Sequence, residues 1–99
     1  MRLTAEQITA IKSIVLELCG SAVTVRLFGS RVDDNKRGGD VDLLLESHES
    51  IEDSMWLSAQ VSARVSRTME GRKVDVLVSA PNLESLPIHQ VALEEGILL

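Results

Sequence analysis

Tyrosine is missing from this chain, and Phe28 and Trp56 are the only aromatic residues among 99. A general binder of nucleic acid stacks bases on aromatic platforms and tracks phosphates with a basic stripe. With a formal net charge of −5 the sequence offers neither, so nucleic acid is not a favoured partner. Cys19 is the only cysteine, which excludes an internal disulfide and a cysteine-based zinc cluster and fits a reducing compartment, with the cytoplasm as the expected location. No apolar run approaches the roughly 18 residues needed to cross a bilayer, so no membrane association is expected. Met1-Arg2-Leu3-Thr4 leads into an amphipathic helix instead of the apolar core of a signal sequence. His48 and His89 have no partner at metal-ligand spacing, and surface or packing roles are expected for both.

What is present suits one small α/β domain over residues 1–99. The chain is long enough for a single core and a single site, and it leaves little surface for gripping a large substrate. Thr4-Ala5-Glu6-Gln7 has the form of a capping box, and Ile8, Ile11, Ile14, Val15 and Leu18 then fall on one helical stripe ending near Gly20. Val23 to Phe28 alternates as a strand that stops at Gly29, and the polar stretch Arg31 to Gly39 reads as loop. A second strand is expected over Asp40 to Leu45. Ser50 is placed to cap a longer helix with a buried stripe of Ile51, Met55, Leu57, Val61, Val65 and Met69. Lys73 to Val78 gives a third strand, and Leu83 to Glu95 a helix interrupted near Pro87, before the apolar tail Ile97-Leu98-Leu99. The expected order is α-β-β-α-β-α, with helices packed on one small mixed sheet.

Asp40 and Asp42, two residues apart on a strand, project from the same face. Asp75 is the only acid of the third strand, so pairing the second and third strands brings three carboxylates together. Carboxylates a few ångströms apart raise one another's pKa unless a cation neutralises them, and an all-oxygen donor set suits magnesium or manganese better than zinc. Two such ions can bind a triphosphate and stabilise a pyrophosphate leaving group during in-line displacement. Gly29 at a strand end allows backbone to approach phosphate, and a helix starting after Ser30 would aim free N–H groups at an anion.

Phe28-Gly29-Ser30, nine residues, then Asp40-Val41-Asp42-Leu43-Leu44-Leu45 resembles the Gly-Ser and Asp-x-Asp signature of minimal nucleotidyltransferases of the polymerase-β-type superfamily. Lys73-Val74-Asp75-Val76-Leu77-Val78 is similar to that family's third-acid strand, and Glu94-Glu95-Gly96-Ile97-Leu98-Leu99 to its carboxyl end. The resemblance implies transfer of a nucleoside monophosphate, usually AMP from ATP, with magnesium or manganese held by Asp40, Asp42 and Asp75. Asp75 serves as ligand or as base for the acceptor hydroxyl, and Gly29, Ser30 and Arg31 as nucleotide-binding residues. Many minimal members resemble antitoxins whose partner is an all-helical HEPN-type toxin, modified on a tyrosine or simply bound, so a hetero-oligomer or homo-oligomer is implied. The sequence departs from the family after Ser30, where Val32-Asp33-Asp34 replaces a small residue, a basic residue and a glycine.

Two rival functions stay open: an antitoxin that binds without transferring, and a nucleotidyltransferase acting on a small molecule of the aminoglycoside type. Lys36 and Arg37 can offset Asp33 and Asp34 or simply be solvated. Trp56 is either the outer flank of the long helix or an interface anchor, and the Ile97-Leu98-Leu99 tail either a contact surface or the end of the core. Cys19 is expected to be a small packed side chain.

Overall fold

A computed structural model describes residues 3–29 and 40–99. Helix α1 (Ala5–Cys19) starts as its capping box dictates. Thr4 Oγ1 accepts from the Gln7 N–H at 3.1 Å and Gln7 Oε1 from the Thr4 N–H at 3.0 Å, closing two of the N–H groups that a helix start leaves open. Strand β1 (Val23–Phe28) follows, then β2 (Val41–Ser47), α2 (Ser54–Thr68), β3 (Val74–Ser79), α3 (Pro87–Glu95) and β4 (Ile97–Leu98).

The four strands form one mixed sheet in the order β3-β2-β1-β4. β1 runs antiparallel to β2 and β4, whereas β2 and β3, joined through α2, are parallel. One face of the sheet packs Val25, Leu27, Val41, Leu43 and Leu45 against Ile11 and Val15 of α1 and Val61 and Val65 of α2. The opposite face sets Phe28 and Leu44 against Ala92 of α3. Both faces of mid-β2 are therefore covered, which is why Leu43, Leu44 and Leu45 are all buried in succession instead of alternating. Each such leucine contributes about 1.5–3 kcal/mol relative to an exposed one, so β2 is a fixed platform for what projects from its start.

Several local expectations are corrected. Helix α2 is capped by Asp53, whose Oδ1 accepts from the Trp56 N–H at 3.0 Å, and not by Ser50. The cause lies across the fold: Asn82 accepts from the Ile51 N–H (3.0 Å) and donates to the Ile51 carbonyl (2.7 Å), tying that residue to the turn after β3. Once the helix starts at Ser54, Leu57, Val61 and Val65 set the buried stripe, and Met55 falls on the solvent side, 83% exposed. Helix α3 begins at Pro87, not Leu83, because proline fits the first helical position, where no N–H is needed, and holds Leu86 extended (φ −99, ψ 160). The tail forms a strand: Ile97 and Leu98 pair with Leu27 and Arg26, and the Leu99 N–H donates to the Val25 carbonyl at 3.0 Å. β2 and β3 each start one residue later than expected and end later too, at Ser47 and Ser79.

His89 has a defined place. Its Nδ1 accepts from the Leu86 N–H and its Nε2 faces the Val78 carbonyl, each at 3.0 Å, so the neutral ring with its proton on Nε2 satisfies both groups. It joins α3 to β3, and from the other helical layer the Ser62 hydroxyl of α2 donates to the Val74 carbonyl at 2.6 Å. Among the described residues, no helix is long and apolar enough to cross a membrane.

Candidate active site

The strand register places the acids. In the parallel β2–β3 ladder Asp42 is the partner of Asp75, and in the antiparallel β1–β2 ladder Asp42 is also the partner of Phe28. Asp42 and Asp75 therefore stand side by side on the face that α3 covers further along, two residues upstream of Leu44 and Leu77. Asp42 is partly buried and Asp75 exposed. Asp40, exposed, lies immediately before β2 and shares the Asp42 side by alternation.

The Asp42 carboxyl is pushed above the ordinary carboxylate range. Burial is the first cause, followed by the charges of Asp75 and Asp40, with a hydrogen bond between the Asp42 and Asp75 side chains adding to the rise and the Lys73 ammonium opposing it. Asp42 thus ionises at a cost beside two other acids. Helix α3 ends at Glu95 just before Ile97 pairs with Leu27, so its carbonyl end lies towards the same end of the sheet.

Gly29 follows β1 in the left-handed region, φ +78. A Cβ there would run into Asp42 Oδ2 and lie 3.1 Å from Asp42 Cγ. Glycine is thus required for backbone shape and to leave space for the Asp42 carboxylate, a constraint additional to phosphate access. Ser30, Arg31, Asp33, Asp34, Lys36 and Arg37 lie outside the described residues.

The donor set fits a hard divalent cation in kind: oxygen ligands only, with a mutual repulsion that a cation relieves. Asp42 and Asp75 are brought together; Asp40 acts on Asp42 through its charge. Among the described residues no three His, Cys, Asp or Glu side chains stand at metal-holding spacing, so Asp40 has to close in to complete a set of three. Lys73 was overlooked in the sequence. Its Nζ lies 3.9 Å from Asp75 Oδ1, and the signal for it was its position two residues before Asp75 on the same strand face.

A groove of about 510 Å³ lies elsewhere, between α1, β1 and the chain end, with Lys12, Leu16, Val23 and Leu98 in its lining. It contains none of the acids, and the carboxylate chemistry marks the site better than concavity does. In comparisons with known proteins, the chain matches no family model and no curated sequence.

Proposed function

We propose that this chain is a metal-dependent nucleotidyltransferase of the minimal class that moves a nucleoside monophosphate, AMP from ATP, onto a protein hydroxyl. The observation that carries the proposal is the Asp42–Asp75 register pair, with Asp40 beside it and Gly29 pressed against Asp42. Asp40, Asp42 and Asp75 would hold magnesium or manganese, which supplies charge neutralisation for the triphosphate and its pyrophosphate leaving group.

The chain's own residues do the rest. Asp75, the more exposed of the central pair, takes the proton of the acceptor hydroxyl. As the acceptor oxygen bonds to the α-phosphorus, the bond to the bridging oxygen breaks and pyrophosphate departs. Gly29 brings its backbone close to the nucleotide, with Ser30 and Arg31 assigned to phosphate. The acceptor is an all-helical HEPN-type toxin encoded beside this protein, neutralised in the cytoplasm, where ATP is at hand. Met55 and Trp56, 83% and 54% exposed at the start of α2, are the proposed contact surface.

An antitoxin that binds without transferring is the second reading, favoured by the open spacing of the acids. The test incubates purified protein, ATP labelled on its α-phosphate, magnesium and the neighbouring gene product. Label on the partner, lost with Asp42→Asn, supports transfer; a complex without label supports binding alone; neither label nor complex overturns both.

A further inference from the structure

We propose that Lys73 is a binding residue of this site that changes partner: its ammonium pairs loosely with Asp75 while the acids are free of metal, and turns to the nucleotide's polyphosphate once they hold a divalent cation. The inference rests on the metal and nucleotide reading given above.

Its basis is placement. The ladder between β2 and β3 continues one step before β3, because the Val41 N–H donates to the Lys73 carbonyl at 2.9 Å. The Lys73 backbone is therefore fixed by the sheet. Alternation puts Lys73 and Asp75 on one face. Extending the register by one step sets Lys73 opposite Asp40, just as Asp75 is opposite Asp42. Four side chains thus form a square carrying three acids and one cation. Lys73 Nζ is 3.9 Å from Asp75 Oδ1, and its charge also reaches Asp42, where it opposes the effect of the two other acids.

The contact is loose. Lys73 and Asp75 side chains are 69% and 49% exposed, and an exposed pair of this kind holds weakly. A doubly charged ion displaces a singly charged ammonium from carboxylates, and a displaced lysine keeps its four-carbon reach and three donors. It then stands at the margin of a site about to receive a polyanion.

The experiment measures two affinities: Mn2+ alone, followed by the resonance of the free ion, and α,β-methylene ATP in the presence of Mn2+, followed by calorimetry. Lys73→Met should bind Mn2+ alone about fivefold more tightly, since a repelling charge and a competitor for Asp75 are both gone. The same variant should bind the analogue about tenfold more weakly, having lost a charged donor. Lys73→Arg should remain close to wild type in both. A purely structural role cannot move the two affinities in opposite directions. Affinities that move together in Lys73→Met, or that do not move, overturn the proposal alone. A wild-type chain that binds no Mn2+ overturns it together with the metal reading on which it rests.

Discussion

Asp42→Asn keeps the side chain's size and replaces a crowded carboxylate with a neutral amide able to donate to Asp75. In the wild type, burial first and then the charges of Asp75 and Asp40 hold the Asp42 carboxyl above its ordinary range. An acid whose pKa is raised on folding binds more protons folded than unfolded. Its favourable contribution is fully present below the ordinary value, about 3.9, and is lost as pH rises through the folded value. At pH 7 the wild type therefore carries a cost that asparagine removes. Asp42 is only partly buried, so solvent screening limits that cost to at most about 1 kcal/mol. For a domain of about 100 residues this corresponds to as much as about 4–8 °C in Tm. Asp42→Asn should melt above the wild type at pH 7 in EDTA, and the difference should close as pH falls through the carboxylate range. Millimolar magnesium should close it from the other side, because only the wild type keeps the full ligand set. Calorimetric melts across pH, with EDTA and with magnesium, provide the measurement. An Asp42→Asn protein that melts below the wild type at pH 7 in EDTA refutes the crowding argument.

Gly29→Ala combines a left-handed backbone with a clash against Asp42, so it should cost about 1–3 kcal/mol and abolish transfer; an unchanged melting midpoint counts against this. His89→Ala leaves the Leu86 N–H and Val78 carbonyl without their partner and should lose about 2 kcal/mol in urea unfolding, with α3 the first element to open by hydrogen exchange. Asp40→Asn should lose transfer and retain the partner in a pull-down. Trp56→Ala should weaken that capture while changing stability by no more than about 0.5 kcal/mol, and loss of all partner binding in folded Asp40→Asn would refute the separation of recognition from chemistry.

The elements fixed by local chemistry were legible in the sequence. Thr4 and Gln7 set the start of α1, and alternation marked β1 from Val23 to Phe28. The pairing of Asp42 with Asp75 was also accessible, since each is the second residue of its strand and flanked by buried or half-buried aliphatics. What escaped depends on distant partners. No local signal near Ser50 reveals that Asn82 will claim the Ile51 backbone, which leaves Asp53 to cap α2 and Met55 exposed. His89 carries no motif, and its role follows from where α3 lands on β3. Ile97 and Leu98 read as a tail because two residues are too few for periodicity; they become a strand only because β1 has a free edge to offer.

The outer border of β3 has a consequence for self-association. In a parallel ladder, residues alternate in the direction their backbone groups point. The Lys73 carbonyl turns towards β2, so those of Val74, Val76 and Val78 point away from the sheet. A bare row of valines at a border is a template on which a second molecule can add a strand. Here the Val74 carbonyl is already taken by the Ser62 hydroxyl and the Val78 carbonyl by the His89 ring, one from each helical layer. An incoming strand would meet two of its acceptors already engaged and flanked by side chains. The same two side chains that pin the helices to β3 thereby act as gatekeepers against polymerisation, and they keep the segment that delivers Asp75 from being drawn into an aggregate.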